Sequence, residues 1–326
     1  FESKAPLEYE HSRLACTQLI DNIKSQTVEY VFNEETAADC RKQISASRKE
    51  VYTVIESQLR ACLSDERLRA LDLAQRKGSS SWLSALPLEK EHFHLNKREF
   101  SDAVRLRYRW PLKRLPNICP CGKPYDVDHA LNCLKGGLFN QRHNRMRNLF
   151  ASVMNEVHHD VAIEPQLMPL TGEQLPNSAN KADDARADIS VRGFWQDGQK
   201  AFFDVKVFNP FAQSHLKSNL EKNFTSSEKQ KKRDYNQRVI QLEHGTFSPL
   251  VFTPYGGTSR ETEHVIRTLC SKVASKRNIP YGTVMNWLRT KISFVLTRGA
   301  ILCVRGSRDW RKIETNLDDV ELIRYI

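Results

Sequence analysis

The sequence predicts an α/β protein with a mixed central sheet flanked by helices, preceded by a helical region and a small metal-binding segment. Two apolar runs rich in Phe, Val and Ile, at residues 185–191 and 201–208, are typical of buried strands. The Asp197-Gly198 turn signal between them favours a hairpin. Helical patterns lie before and after this hairpin, which indicates helices packed against a sheet. These patterns cover residues 138–157, 261–276 and 284–298.

The remaining elements follow from the same periodicities. Apolar residues recur at helical spacing around positions 14–23 and 51–59, so residues 1–110 are expected to be mostly helical. Short apolar runs at 161–164 and 250–253 predict two further strands, and a polar helix is expected around 216–235. We therefore divide the chain into a helical region (1–110), a metal-binding knuckle (111–145) and an α/β domain (146–326). The chain has 326 residues, and its 40% apolar content supports a sizeable core.

A compact set of metal-ligand residues defines the knuckle. Its spacing is C-x-C-x7-H-x3-C, and its members are Cys119, Cys121, His129 and Cys133. Three thiolates and one imidazole complete a tetrahedral zinc site with no open position, which is typical of structural zinc. Gly122 permits the tight turn that a knuckle needs, and residues 130–132 fit one helical turn between the last two ligands. We predict a structural zinc ion here, with His143 as a spare candidate ligand.

The other cysteines indicate a reducing compartment. Cys16, Cys40, Cys62, Cys270 and Cys303 are scattered through apolar surroundings, so we expect core side chains and not a disulfide framework. No apolar run is long enough to cross a membrane, and no secretion signal is found. We expect an intracellular or nuclear protein with no membrane partner.

Two acids in the hairpin suggest phosphodiester chemistry. Asp188 and Asp204 lie on adjacent predicted strands, which are about 4.8 Å apart, so their carboxylates can share one divalent cation. Lys206 lies two residues after Asp204 and is therefore expected on the same face. Such acids hold Mg²⁺ or Mn²⁺, and a lysine offsets the charge that develops on phosphate. Taken alone, Asp-x-Lys is a weak motif, and the alternative is that these residues merely mark strand ends.

A further candidate acid of this site lies upstream of the hairpin. Glu164 ends the predicted strand at 161–164, and Pro165 after it favours an extended conformation from which the carboxylate reaches the metal. Glu156, on the helix before that strand, is the alternative.

The order of these elements resembles the restriction-like endonuclease region of non-LTR retrotransposon proteins, within the PD-(D/E)XK superfamily. The resemblance covers about residues 80–245. It begins with the knuckle and continues through Arg142-His143-Asn144, Glu164-Pro165, Arg186-Ala187-Asp188, Asp204 and a basic helix ending at Tyr235. In this chain Ala187 replaces the usual Pro, and Lys206 stands where that retroelement family often has a neutral residue.

The resemblance implies a restriction-endonuclease-like fold and a metal-dependent DNA endonuclease. Its catalytic residues would be Glu164, Asp188, Asp204 and Lys206. It would nick target DNA so that a 3′-OH primes reverse transcription. No reverse-transcriptase domain is found and the sequence opens on Phe1, so we expect either a fragment, with the rest of a retroelement polyprotein missing, or an excised nuclease. Two alternatives are a non-enzymatic nucleic-acid-binding module derived from such a nuclease, and binding of element RNA through the knuckle.

Charge agrees with a nucleic-acid partner. The net charge is +11 and the isoelectric point is near 9.3. Aromatic residues alternate with Arg at 105–110, which suits phosphate contacts and base stacking. The predicted nucleic-acid-binding residues are Arg105, Arg107, Arg142, Arg145, Lys229, Lys232 and Tyr235. The alternative is that these residues form solvated helix faces.

Overall fold

A four-stranded mixed sheet lies at the centre of the structure. Its strands are β1 (Val161–Ile163), β2 (Ile189–Arg192), β3 (Lys200–Val207) and β4 (Thr246–Phe252), in the order β1-β2-β3-β4. The first two pairings are antiparallel, and β3 and β4 are parallel. The predicted hairpin and the predicted mixed sheet are therefore confirmed. The parallel pair needs a crossover connection, which the helical residues between β3 and β4 supply.

The computed structural model describes residues 37–172 and 175–308. The chain divides into two units, Phe1–Cys62 and Leu63–Ile326. In the first unit the described part is helix α1 (Ala37–Cys62). The helical pattern predicted around residues 14–23 lies outside the described residues, as does Cys16.

Nine further helices are described in the second unit, together with 3-10 turns at Glu89–Glu91 and Lys135–Gly137. They are α2 (Asp65–Gln75), α3 (Ser81–Ser84), α4 (Lys97–Arg107), α5 (Val127–Asn132), α6 (Leu138–Val157), α7 (Gln213–Leu216), α8 (Leu220–Gln241), α9 (Arg260–Arg277) and α10 (Tyr281–Arg305). The long helix predicted at 138–157 is confirmed by α6. Across the described helices, none has both the length and the apolar character that a bilayer span requires.

Side-chain caps fix where several helices begin. Asn96 accepts hydrogen bonds from the amides of Arg98 and Glu99, and the Glu99 carboxylate accepts one from the Asn96 amide, which completes a capping box on α4. The side chain of Asn219 accepts a hydrogen bond from the Lys222 amide and caps α8, and that of Ser259 accepts one from the Thr262 amide and caps α9. Each cap satisfies backbone N–H groups that have no partner within the helix.

Strand β3 is buried on both faces because helices cover the sheet on each side. Phe203 and Val205 pack in a large core formed with α6, α9 and α10. Phe202, on the opposite face, packs with Val239 of α8 and with Phe247. Since side chains alternate along a strand, Asp204 and Lys206 share the face of Phe202 and point toward α8.

A second apolar core joins the knuckle to helix α10. Trp82, Leu106 and Leu131 pack with Phe294 and Ile301 of α10. The segment boundaries predicted at 110 and 145 therefore fall inside the unit that also contains the sheet.

We expect Leu250→Ala to lower the free energy of unfolding by about 2–5 kcal/mol, because it opens a cavity in the core that β4 forms with α6, α9 and α10. Leu250 is fully buried, whereas Leu86 is 72% exposed. Leu86→Ala is the matched control and should change stability by less than about 0.5 kcal/mol. Urea denaturation followed by circular dichroism measures both, and equal effects would contradict this core assignment.

Candidate metal centre and strand-end site

The four knuckle residues converge on one point. The ligand atoms of Cys119, Cys121, His129 and Cys133, here called the Cys/His cluster, all lie within 4.8 Å of one another. The Sγ atoms of Cys119 and Cys133 are 3.8 Å apart, and Cys121 Sγ lies 3.3 Å from His129 Nε2. Tetrahedral zinc with Zn–S distances of about 2.3 Å places two sulfurs about 3.8 Å apart. The cluster can therefore hold one metal ion, and its geometry is consistent with zinc.

Local backbone structure brings these ligands together. Gly122 has φ of +86°, and its amide donates to the carbonyl of Cys119 at 2.8 Å, which closes the turn. Asp126 caps α5 by accepting from the His129 amide at 2.6 Å. The short helix then carries His129 toward the turn, and Cys133 follows directly after its last residue.

The two ends of the cluster differ electrostatically. Burial raises the pKa of Cys119, whereas a hydrogen bond from the backbone of Lys123 lowers the pKa of the exposed Cys121. Of these two thiols, Cys121 therefore ionises more readily.

The knuckle helix is anchored beside the end of β3. Asp128 of α5 accepts from Arg109 at 2.7 Å and from the side-chain amide of Asn209 at 3.0 Å. The Arg109 guanidinium also lies 4.2 Å from the centroid of the Phe211 ring. Because Asn209 follows β3 by two residues, this network fixes the knuckle against the carboxyl end of that strand.

The three predicted acids form a row across three strands. The β1–β2 and β2–β3 registers, each continued by one residue, place Asp188 opposite Glu164 and opposite Asp204. The Glu164 amide donates to the Asp188 carbonyl at 2.9 Å. The Val205 amide donates to Asp188 Oδ2 at 2.6 Å. Residues opposite one another on paired strands have Cβ atoms about 5 Å apart, so the backbone brings Asp188 and Asp204 together as the sequence predicted.

His143 belongs to this row and not to the Cys/His cluster. Its Nε2 lies 2.9 Å from Asp188 Oδ1, so our expectation that it is a spare metal ligand of the knuckle is wrong. The reason is that α6 carries it across the strand ends, whereas the ligands lie before that helix. Both oxygens of Asp188 are therefore held, one by the His143 side chain and one by a backbone amide.

Asp204 is an acid in an unfavourable place for charge. Its side chain is 6% exposed, and Lys231 Nζ of α8 lies 2.6 Å from Oδ2. Burial raises the pKa of Asp204 to about 6; the Lys231 charge opposes that shift, and the Asp188 charge adds to it. The lysine contact lacks the direction of a hydrogen bond, so Oδ2 has no hydrogen-bond partner among the described residues.

Lys206 lies next to this pair, on the face that the sequence predicted. Its Nζ donates to Gln230 Oε1 of α8 at 2.7 Å. Burial lowers the pKa of Lys206, and the neighbouring charge of Lys231 lowers it further. We call Asp188, Asp204, Lys206 and Lys231 the strand-end site.

Lys231 is the functional candidate that sequence reasoning missed. The sequence predicts contacts from Lys229 and Lys232 instead, but Lys229 is exposed and Lys232 pairs with Glu261 at 2.6 Å. Tyr235, also predicted, does lie on the inner face of α8, with its ring centroid 5.6 Å from Lys231 Nζ. Helical spacing in the sequence could have identified Lys231, because it lies four residues before Tyr235 and therefore shares the side of the helix that carries Tyr235.

Glu164 departs from expectation. It has φ of +51° and is not extended, so β1 ends at Ile163 and that prediction is wrong. The Glu164 carboxylate pairs with Arg147 of α6, one helical turn after His143. Within residues 37–172 and 175–308, the Cys/His cluster is the only group of three or more potential ligands that converges. The structure therefore brings Asp188 and Asp204 together without adding the Glu164 carboxylate.

The alternative acid is directed elsewhere. Glu156 accepts from Arg277 of α9 at 2.7 Å, near the opposite end of α6 from His143. It does not belong to the strand-end site.

Several predicted nucleic-acid contacts have internal partners. Arg142 is fully buried and donates to the Val207 carbonyl at 3.1 Å, so its prediction as a surface contact is wrong. Successive side chains of a helix point about 100° apart, so Arg142 is directed into the core while its neighbour His143 faces the acids. Arg107 donates to Ser80 Oγ at 2.7 Å, and Arg105 donates to the Pro111 carbonyl at 2.7 Å. Arg145 is partly buried, and this burial lowers the pKa of its guanidinium.

Comparison with known protein families finds none that matches this chain, and no curated protein matches it. The resemblance to retrotransposon endonucleases therefore stays a prediction from the motifs.

Native mass spectrometry should detect one zinc ion per chain, and Cys121→Ser should lose it because three remaining ligands hold the ion less tightly. Cys62 provides the matched control. We expected it in a core, but it is an exposed thiol outside the cluster. Cys62→Ser should therefore keep the metal. Equal zinc content in the wild type and Cys121→Ser would contradict the site.

Asp204 should make stability depend on pH. Because its folded pKa is raised, the folded chain holds a proton that the unfolded chain releases, and stability falls as pH rises from about 4 to 6. A two-unit shift corresponds to roughly 3 kcal/mol. Asp204→Asn mimics the protonated acid and does not titrate. The free energy of unfolding of this variant should therefore rise relative to that of the wild type by roughly 3 kcal/mol between pH 4 and pH 6.

Urea denaturation at several pH values, without added divalent cation, measures this difference. Other titrating groups, including the cluster thiols, are common to both proteins and cancel. Asp160→Asn is a control, since Asp160 is exposed beside Arg192. A stability difference between wild type and Asp204→Asn that does not vary with pH would contradict the raised pKa.

Proposed function

We propose that this chain is a metal-dependent DNA endonuclease of restriction-like fold that nicks duplex DNA, with zinc in its Cys/His cluster. One observation carries the proposal. Asp188 and Asp204 are cross-strand neighbours at one end of the sheet, and Lys206 and Lys231 accompany them. Two carboxylates with adjacent ammonium groups suit the cleavage of a phosphodiester.

The donor set of the strand-end site fits a hard divalent cation. Carboxylate oxygens are the ligands that Mg²⁺ and Mn²⁺ take in proteins. Asp204 Oδ2 is buried, lacks a directed hydrogen bond within the described residues and lies 2.6 Å from a cationic group. Asp188 and Asp204 would hold the ion, which would polarise the phosphate and lower the pKa of a bound water.

The side chains of the site have separate tasks in this reaction. His143 and the Val205 amide fix the two oxygens of Asp188, so that carboxylate is positioned before substrate arrives. Lys206 and Lys231 offset the negative charge that builds up on the phosphate oxygens. Gln230 holds the Lys206 ammonium in place. Glu164 would add a third carboxylate only after leaving Arg147.

DNA as the substrate is supported by charge. The net charge of +11 favours polyanions, and Lys229 and Arg233 are exposed on α8, the helix that carries Lys231. Insertion of a retroelement, in which the nick primes reverse transcription, rests on the motif resemblance. Nuclear location and element RNA as a second partner rest on the same resemblance.

A non-enzymatic nucleic-acid-binding module is the second candidate function. The pairing of Glu164 with Arg147 favours it, since the three predicted acids do not form a ready metal site. Such a module would keep the basic surface and the Cys/His cluster without cutting DNA.

Purified chain should convert supercoiled plasmid to open circles with Mg²⁺ or Mn²⁺. Asp204→Ala should lower the nicking rate by at least about 100-fold, because it removes a metal ligand, while DNA affinity is kept. Lys206→Ala and Lys231→Ala should each slow nicking by about 10- to 100-fold through lost charge stabilisation. Agarose gels measure the nicking rate, and filter binding measures affinity.

Glu156→Gln is the matched control, because Glu156 is an acid of α6 tied to Arg277 away from the site. It should nick at the wild-type rate. A wild-type chain that binds plasmid but does not nick it with either metal would replace the nuclease by the binding module. Nicking that survives Asp204→Ala would exclude the strand-end site as its source.

A further inference from the structure

A pair of exposed aromatic rings lies outside the strand-end site. Tyr108 and Trp110, here called the aromatic pair, stack with ring centroids 5.1 Å apart and an interplanar angle of 30°. Their exposed fractions are 46% and 41%. Two large rings side by side in solvent form a surface whose burial by a ligand would be favourable.

The backbone holds the aromatic pair in place. Helix α4 ends at Arg107, and the Trp110 amide donates to the Arg105 carbonyl at 2.8 Å. Between the two rings, Arg109 adopts φ of +54° and is fastened by Asp128 at 2.7 Å and by Glu66. Since Arg109 is directed inward, its two neighbours are presented to solvent. The platform is therefore organised before any ligand binds, which reduces the entropy cost of binding.

The chain around the aromatic pair is basic throughout. Residues 103–125 contain six basic side chains and no Asp or Glu. The basic residues are Arg105, Arg107, Arg109, Lys113, Arg114 and Lys123. Three of these, Lys113, Arg114 and Lys123, are exposed. The segment that carries the rings thus also carries exposed cations and contributes no carboxylate of its own.

Aromatic rings among cations match one ligand chemistry. Single-stranded nucleic acid presents unpaired bases that stack on aromatic side chains, and phosphates that pair with Lys and Arg. In a duplex the base faces are already stacked on one another, so the rings would have nothing to stack against. An apolar protein segment would gain from the rings but not from the exposed charges of Lys113, Arg114 and Lys123.

We propose that Tyr108 and Trp110 form a stacking platform for unpaired bases of a single strand, with its phosphates on Lys113, Arg114 and Lys123. The platform is linked to the carboxyl end of β3, because Asp128, which holds Arg109, also binds Asn209 two residues after that strand. This inference rests on the nucleic-acid partner of the proposed function but not on cleavage.

Fluorescence anisotropy with labelled oligo-dT, oligo-U and a duplex of equal length tests the platform, without divalent cation so that no cutting occurs. Each stacked base contributes about 1–3 kcal/mol, so replacing both Tyr108 and Trp110 by Ala should weaken binding of single strands by at least about 10-fold. Duplex affinity should change by less than about 2-fold, since the phosphate contacts remain. Comparison of oligo-dT with oligo-U tells whether DNA or RNA is preferred.

Ring-preserving and ring-removing variants guard against a folding artefact. Replacing both residues by Phe should keep affinity for single strands, whereas replacing both by Leu should lose it at similar apolar bulk. Tyr281 is 44% exposed at the start of α10, so Tyr281→Ala is the matched control and should bind as wild type. Zinc content and the urea midpoint verify that each variant is folded.

Three outcomes would overturn the platform. They are unchanged single-strand affinity in the Ala variant, equal losses for single strand and duplex, and no difference between the Leu and Phe variants. Failure of the nuclease proposal gives a different result from failure of the platform. In that case plasmid nicking would be absent, while oligonucleotide affinity would still depend on the aromatic pair.

Discussion

The buried charge of Asp204 is the constraint around which the strand-end site is built. An isolated carboxylate is costly to bury, and here it lies on a central strand covered by helices on both faces. The Lys231 ammonium offsets part of that cost from α8, whereas the neighbouring Asp188 adds to it. A fold that merely needed stability would gain by replacing such a group with an apolar side chain. The cation that we propose for this site would offset the rest of the cost.

Helix α6 is the element that organises the acids. His143 and Arg147 lie one turn apart, and they contact Asp188 and Glu164 respectively. Arg142, on the buried side of the same turn, donates to the end of β3. One helix therefore positions two acids through side chains at spacing i and i+4. The Cys/His cluster ends at Cys133, shortly before this helix begins, so loss of order in the knuckle would reach the strand ends through α6.

The knuckle and the aromatic pair share a single anchor. Asp128 lies in the helix that follows the knuckle turn, and it joins Arg109 to Asn209. Arg109 is mostly enclosed by these partners and by the Phe211 ring. Replacing Arg109 would leave the partly buried Asp128 carboxylate without its cationic partner. Hydrogen bonds from Arg109 through Asp128 to Asn209 therefore connect the segment that carries Tyr108 and Trp110 to the carboxyl end of β3.

Local patterns in the sequence determined much of this protein. The hairpin, the mixed sheet, the span of α6 and the spacing of the Cys/His cluster follow from periodicities and turn signals within short segments. Placement of Asp204 and Lys206 on one face follows equally, because a strand alternates its side chains. Only the tertiary structure decided that Lys231 faces Asp204, that Arg142 is buried and that Glu164 turns toward Arg147. Those outcomes depend on which face of a helix packs against the sheet, and that choice is set by burial of apolar surface between segments distant in the chain.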